Sequence, residues 1–244
     1  MRVGLFVTCL VDLMRPRIGF AALKLLKAAG CDVLLPTTQT CCGQPAYNFG
    51  DPDAARALAL KLLHEFIDCD YVVVPSGSCA ATLRVHYPQL FKDRPELQEI
   101  ERLSTCTYEL TDFLVRIAGL NRIPGAFAGT VTYHDSCSGL RELGVQAQPR
   151  ALLAKLPDAH LVEMPDAAVC CGFGGTFSVK YGDISTRMAD NKCNNIAESA
   201  ADALVAGDLG CLLNMEGRLR RRGDDKTAVY HIAEILAGVE KSEI

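Results

Sequence analysis

The chain has 244 residues, 49% of them apolar, and its 25 Lys and Arg against 29 Asp and Glu leave a formal charge of −4. That length and apolar content suffice for the core of one large domain or two small ones. The mild acidity gives no electrostatic ground for nucleic acid or an anionic membrane as partner. No apolar run nears the roughly 20 residues that span a bilayer, so no transmembrane segment is expected.

In chain order, Arg2 to Thr8 is a short apolar run that predicts a strand. Phe20 to Ala29 has helical spacing and ends at Gly30, a helix-terminating residue. Asp32 to Leu35 predicts a second strand, and Thr37 to Phe49 a loop. Asp51-Pro52-Asp53 opens a helix running to about Asp68, with Pro52 in its first turn. Tyr71 to Val74 reads as a strand covered on both faces. Helices are expected from Ala80, near Pro95 to Leu103, and from Tyr108 to Ala118. The second half repeats the plan, with strands at Thr130–Tyr133, His160–Met164, Ala203–Ala206 and Thr227–Tyr230. Its expected helices lie at Pro149–Lys155, Phe177–Ala201, Leu212–Arg221 and the C-terminus. This alternation predicts an α/β fold with mainly parallel sheets.

Cysteine positions show that the halves are copies. Cys9 precedes Cys41-Cys42-Gly43 by 31 intervening residues, and Cys137 precedes Cys170-Cys171-Gly172 by 32. Cys79 follows Cys42 after 36 residues, and Cys211 follows Cys171 after 39. Val3–Cys9 aligns with Val131–Cys137, and Tyr108–Leu114 with Tyr230–Leu236. The expected organisation is therefore two cysteine-rich repeats, residues 1–122 and 127–240, joined near Asn121 to Gly129. All eight repeated cysteines fall at or beyond a strand's C-terminal end, where open α/β sheets bind ligands. The other four lie out of register: Cys31 opposite His160, Cys69 opposite Ala201, Cys106 opposite Ala228 and Cys193 opposite His64. They read as small buried hydrophobes.

Met1 to Val11 has a faint look of a signal peptide, and Cys9 invites a lipoprotein reading. The segment lacks a small-residue cleavage site and recurs at mid-chain, which favours a buried strand and a cytoplasmic protein. Twelve cysteines in such a chain point to metal or redox chemistry rather than disulfides. Zinc favours short Cys-x₂₋₄-Cys spacings, which neither half has. Adjacent cysteines suit two irons of one cluster better than a single ion, and glycines let the backbone approach sulfide. Zinc stays open as the alternative metal, and thiol–disulfide exchange at the paired cysteines as an alternative chemistry.

The segments Leu5-Phe-Val-Thr-Cys-Leu-Val-Asp12, Cys41-Cys-Gly-Gln-Pro-Ala-Tyr-Asn48, Pro75-Ser-Gly-Ser-Cys79, Tyr108-Glu-Leu-Thr-Asp-Phe113, Cys170-Cys-Gly-Phe-Gly-Gly-Thr-Phe-Ser178 and Gly210-Cys-Leu-Leu-Asn214 carry a resemblance. They resemble the repeated cysteine-rich domain found in heterodisulfide reductase and in glycolate oxidase iron–sulfur subunits. Within that superfamily the chain is similar, over nearly its whole length, to the lactate-utilisation protein A family. The resemblance implies an iron–sulfur electron-transfer subunit of a complex oxidising L-lactate to pyruvate, with two further subunits, one of them ferredoxin-like. It implies a cluster, [4Fe–4S] in type, in one or both halves, held by Cys9, Cys41, Cys42 and Cys79 and by Cys137, Cys170, Cys171 and Cys211. Where the related pattern has Cys-x-x-Cys, this chain has Ser76-x-x-Cys79 and Asp208-x-x-Cys211. Four-thiolate sites are therefore expected, with Ser76 and Asp208 as weak extra oxygen ligands or as helix and turn caps.

Three other features enter as alternatives. Gly172 to Thr176 precedes a helix but lacks the Walker lysine and the dinucleotide fingerprint. His134-Asp135 reads either as a proton relay beside a cluster or as a hydrogen-bonded loop pair. Arg218 to Arg222 reads as a solvated helix end or a docking patch for an acidic partner. With no flavin or nicotinamide signature, the chain alone is a poor dehydrogenase of a 2-hydroxy acid.

Overall fold

The computed structural model describes residues 1–238; residues 239–240, the end of the expected second repeat, lie outside the described residues. The first half runs β1 (Arg2–Leu5), α1 (Cys9–Met14), α2 (Arg17–Ala28), β2 (Asp32–Leu34), α3 (Gln44–Phe49), α4 (Pro52–Phe66), β3 (Tyr71–Val74) and α5 (Gly77–Ala81). A π-helical turn (Thr82–His86), α6 (Tyr87–Leu90), α7 (Leu97–Cys106), β4 (Thr107–Glu109) and α8 (Leu110–Arg116) complete it. The second half runs β5 (Gly129–His134), α9 (Cys137–Leu143), α10 (Ala147–Leu153), β6 (Ala159–Leu161), α11 (Thr176–Lys180) and α12 (Gly182–Ser199). It ends with β7 (Ala203–Ala206), α13 (Leu209–Arg221), β8 (Ala228–His231) and α14 (Ile232–Ala237).

Each half builds a four-stranded, all-parallel sheet, in the orders β2-β1-β3-β4 and β6-β5-β7-β8. The fold class is thus α/β with two pseudo-repeated halves. In each sheet the strand order reverses at the first strand (β1 or β5). The crevice beside its C-terminal end is where such sheets take ligands.

The halves share a core. One face of each sheet packs through α2 against α14 and, reciprocally, through α8 against α10; α5 crosses α9 as α13 approaches α1. Val3, Leu5 and Phe113 thereby join Val131, Leu204 and Ile232 in a single buried cluster. The α5–α9 crossing is close: a Cβ on Gly77 would stand 3.0 Å from the Gly139 Cα. Among the described residues no helix is long and apolar enough to cross a membrane.

Several local expectations are corrected. The helix expected from Tyr108 begins two residues later, because Thr107–Glu109 forms the edge strand β4. The helix expected over Phe177–Ala201 breaks at Tyr181 (φ −126°, ψ 53°) into α11 and α12. The expected loop Thr37–Phe49 contains α3, and the chain turns helical at Cys9 and Cys137, directly beyond the strands. The repeat's register also shifts within the helices. The buried stripe Ala55, Ala59, Leu62, Leu63 and Phe66 of α4 superposes by pattern on Ser185, Ala189, Lys192, Cys193 and Ile196 of α12. Cys193 therefore stands opposite Leu63, not His64.

Candidate metal centre

All eight repeated cysteines lie on the C-terminal side of the sheets. Cys9 and Cys79 sit on α1 and α5, the helices that follow the two neighbouring strands β1 and β3, and Cys41-Cys42 end the loop after β2. Their copies Cys137 and Cys211 sit on α9 and α13 after β5 and β7, with Cys170-Cys171 after β6. The thiols form a contact chain in each half. Cys9 and Cys42 each hydrogen-bond Cys41, and Cys42 reaches Cys79. In the second half Cys137 and Cys171 each bond Cys170, and Cys171 reaches Cys211.

The first cysteine of each pair collects the donors. Hydrogen bonds from Cys42 and then Cys9 lower the Cys41 pKa to about 3, and those from Cys137 and Cys171 lower Cys170 to about 2. Gly43 N–H points at Cys41 Sγ and Gly172 N–H at Cys170 Sγ, both at 3.4 Å. The donating thiols Cys9, Cys42, Cys137 and Cys171 are pushed up, chiefly by those same bonds. Cys211 accepts from Cys171, which lowers its pKa, but burial and nearby Asp208 outweigh this and leave it raised. Four grouped cysteines, one of them a stabilised thiolate, suit a metal–sulfur centre, since the thiolate is the ligating form.

The glycines after each pair are required by shape. Gly43 and Gly172 have φ of +85° and +88°, and a Cβ on Gly172 would lie 2.8 Å from the Ser185 carbonyl oxygen. Tyr87 Oη donates to the Cys42 carbonyl at 2.7 Å, and Asn214 Nδ2 to the Cys171 carbonyl at 2.9 Å, each fixing the second cysteine of its pair.

The four out-of-register cysteines stand apart from both groups. Cys31 and Cys106 directly precede β2 and β4, and Cys69 stands two residues before β3, all at the opposite edge of the sheet, while Cys193 lies in the buried stripe of α12. Burial raises the pKa of all four.

Ser76 and Asp208 are helix caps that meet between the halves. Ser76 Oγ accepts from Cys79 N–H and donates to Asp208 Oδ2 at 3.1 Å. Asp208 Oδ2 also accepts from Ser78 N–H at 2.9 Å, and its Oδ1 from Gly210 N–H at 3.1 Å. These oxygens are engaged by N–H and O–H donors as helix caps.

His134 and Asp135 point to different places. Asp135 is gripped by Arg150 through two bonds of 2.8 and 3.0 Å, so it is no relay partner for the neighbouring imidazole. His134 is fully buried, and a ring nitrogen lies with Cys171 Sγ and Cys211 Sγ in a set whose members are all within 4.8 Å of one another. Burial, then the positive charge of Lys192, lowers its pKa to about 3 and keeps it neutral. Lys192 was not singled out in the sequence. It is 1% exposed, and its ammonium lies near Cys171 and Cys170 while bonding the carbonyls of Asp166 and Ala167. A lysine inside an apolar helical stripe, opposite Leu62 of the first repeat, was the available signal.

The arginine cluster is largely committed. Arg218 makes bonds of 2.7 and 2.8 Å to Asp190, Arg222 reaches Asn194, and Arg220 binds the Asp224 and Thr227 carbonyls. That disposes of most of the docking-patch reading. The first thiol group instead opens to solvent through a cleft of about 620 Å³, with Leu13, Phe20 and Leu35 on its walls and Cys9 and Cys41 at its edge.

A repeated α/β unit with clustered thiols beyond its strands defines a class, and the cysteine-rich CCG domain model matches residues 3–84 and 131–216. The chain is 48% identical to lactate utilization protein A of Geobacillus kaustophilus, over 97% of this chain and 98% of that one. It is 44% identical to the Bacillus subtilis protein of the same name, over 97% and 99%. The chain belongs to the lactate utilization protein A family. A crystal structure of a hypothetical protein from Helicobacter pylori shares its fold, with a TM-score of 0.68 at 12% identity. That likeness covers 99% of this chain but 49% of the other, so the chain spans about half that structure's length.

Proposed function

We propose that the chain is an iron–sulfur electron-transfer subunit of a multi-protein system that oxidises L-lactate to pyruvate. The observation carrying this reading is the doubled thiol group, in which three distant segments bring four cysteines together and one of the four is a stabilised thiolate. Membership of the lactate utilization protein A family supports the substrate. Cys9, Cys41, Cys42 and Cys79 would hold one cluster of [4Fe–4S] type, and Cys137, Cys170, Cys171 and Cys211 the other. Such a cluster supplies one-electron transfer.

The chain's own residues prepare that role. Gly43 and Gly172 bring N–H groups to sulfur, where they offset negative charge. Ser76 and Asp208 cap α5 and α13 and so hold Cys79 and Cys211 in place. The cleft beside Cys9 and Cys41 leaves the first site within reach of a redox partner. In this reading the carbon chemistry belongs to the other two subunits, one of them ferredoxin-like, and all three work in the cytoplasm.

Zinc is the second reading, favoured by one observation. The His134, Cys171 and Cys211 donor atoms stand within 4.8 Å of one another, a separation that suits a single ion. Anaerobic purification followed by iron, acid-labile sulfide and zinc analysis, with visible and EPR spectra, decides between them. Iron and sulfide in cluster stoichiometry are expected. Stoichiometric zinc without iron would overturn the electron-transfer reading.

A further inference from the structure

The two thiol groups share a scaffold but not their surroundings. Phe6 and His134 are equivalent, since Val3 and Val131 hold matching places in the two sheets and the chain then runs in step to Cys9 and Cys137. Phe6 is buried and meets the edge of Phe66, with ring centroids 6.2 Å apart, so the fold is satisfied by an apolar ring there. His134 is equally buried, and among the described residues its ring nitrogens make no well-aligned hydrogen bond, the nearby Ala167 carbonyl being taken by Asp135 N–H and Lys192 Nζ. A polar nitrogen sealed from water without a partner is costly, and the fold does not require one at this position. The unpartnered ring lies against Cys171 and Cys211.

A second, independent difference points the same way. At the buried position where α4 has Leu62, α12 has Lys192, whose two hydrogen bonds go to backbone carbonyls. A buried ammonium needs a counter-charge, and the groups beside it that can supply one are the Cys171 sulfur once a metal has displaced its proton, Asp166, Asp135 and the Cys170 thiolate. The second half therefore buries both a free nitrogen donor and a fixed positive charge against its thiols, where the first half has two hydrocarbons.

We propose that His134 is a metal ligand of the second centre, which makes that centre a mixed imidazole–thiolate site with Lys192 as counter-charge, while the first is all-thiolate. This rests on the reading that the thiol groups hold metal. The first half lacks the imidazole because Phe6 occupies its place.

The test is pulsed EPR on the anaerobically purified, dithionite-reduced chain, made with natural-abundance and with ¹⁵N-labelled histidine. A nitrogen modulation that changes with the label, disappears in His134→Phe and persists in Lys192→Met is the expected result. No label-dependent modulation in the wild-type chain, or one that survives in His134→Phe, overturns the assignment. A second measurement serves whichever metal is bound. In a Cys42→Ser background, which cripples the first site, adding His134→Phe should speed loss of the remaining metal to a chelator by about tenfold or more. Equal loss rates would overturn the ligand role. Zinc in place of iron would sink the electron-transfer function while leaving this second readout decisive.

Discussion

Glu109 offers the sharpest test of how the halves are joined. It caps α8 and is fully buried near the Gly207 backbone of the other half, where Tyr133 Oη also approaches. One carboxylate oxygen accepts from Thr111 N–H at 2.7 Å, from the Thr111 hydroxyl and from Asp112 N–H at 3.1 Å; the other has no partner among the described residues. Burial wins over those bonds and raises its pKa from 4.5 to about 7. Below pH 4.5 the group is protonated in the folded and unfolded states alike and changes nothing. Between 4.5 and 7 the unfolded chain ionises while the folded chain keeps its proton, so stability falls as pH rises. At about 1.4 kcal/mol per pH unit the whole window is worth roughly 3 kcal/mol. Glu109→Gln keeps an oxygen for the cap donors and removes the ionisation. Urea unfolding of both proteins from pH 4.5 to 8 should show the variant gaining about 3 kcal/mol on the wild type. A difference that stays constant with pH would refute the reasoning, because it would mean that the carboxylate is not desolvated.

His231 is the matching cap in the other half and should behave oppositely. Burial lowers its pKa from 6.5 to about 4, so stability should be lost as pH falls through that window, by about 3 kcal/mol at most, and His231→Asn should remove the slope in the same titration. The glycines after the cysteine pairs predict an order. Both alanine variants carry a left-handed penalty of about 1–2 kcal/mol, but Gly172→Ala adds overlap with Ser185 and Met188, where a Cβ at Gly43 stands 3.3 Å from its nearest neighbour. Gly172→Ala should therefore lose about 1–3 kcal/mol more in urea unfolding than Gly43→Ala, and the reverse order would contradict the packing. Serine at Cys9, Cys42, Cys137 or Cys171 should abolish metal retention in its own half, whereas serine at Cys31, Cys69, Cys106 or Cys193 should cost only about 1–2 kcal/mol; equal metal loss in the two sets would break the link between the repeat and ligation. Asp208→Ala strands the Ser78 and Gly210 N–H groups and the Ser76 hydroxyl, and should lower the unfolding free energy by about 2–4 kcal/mol. A calorimetric change under about 1 kcal/mol would show that these bonds are not holding the two halves together.

The repeat was legible in the sequence because it is written in residue identity. Eight cysteines, the glycines after each pair and the apolar runs before them recur at nearly constant offsets, and apolar runs alternating with helical stretches imply a parallel α/β sheet. Strand β4 escaped because three residues at a sheet edge carry almost no periodic signal, although Tyr108 is the counterpart of Tyr230, which was expected in a strand. The break at Tyr181 escaped because its one mark, the adjacent Gly182, is a residue that helices also tolerate in their interior. Four matters were settled only by tertiary structure. The first is the core shared between the halves, since apolar patterning says that a face is buried but not against what. The second is the meeting of Ser76 with Asp208, because hydrogen bonds between residues 132 positions apart exist only once the chain is folded. The third is the register of α12, where Lys192 answers to Leu62 and Cys193 to Leu63, since helices joined by loops of unequal length drift out of step with the strands. The last is the direction of His134. Alternation along β5 says that neighbouring side chains point to opposite faces, but only the packing of α12 and α13 beyond the sheet turns one of those faces into a pocket of sulfur.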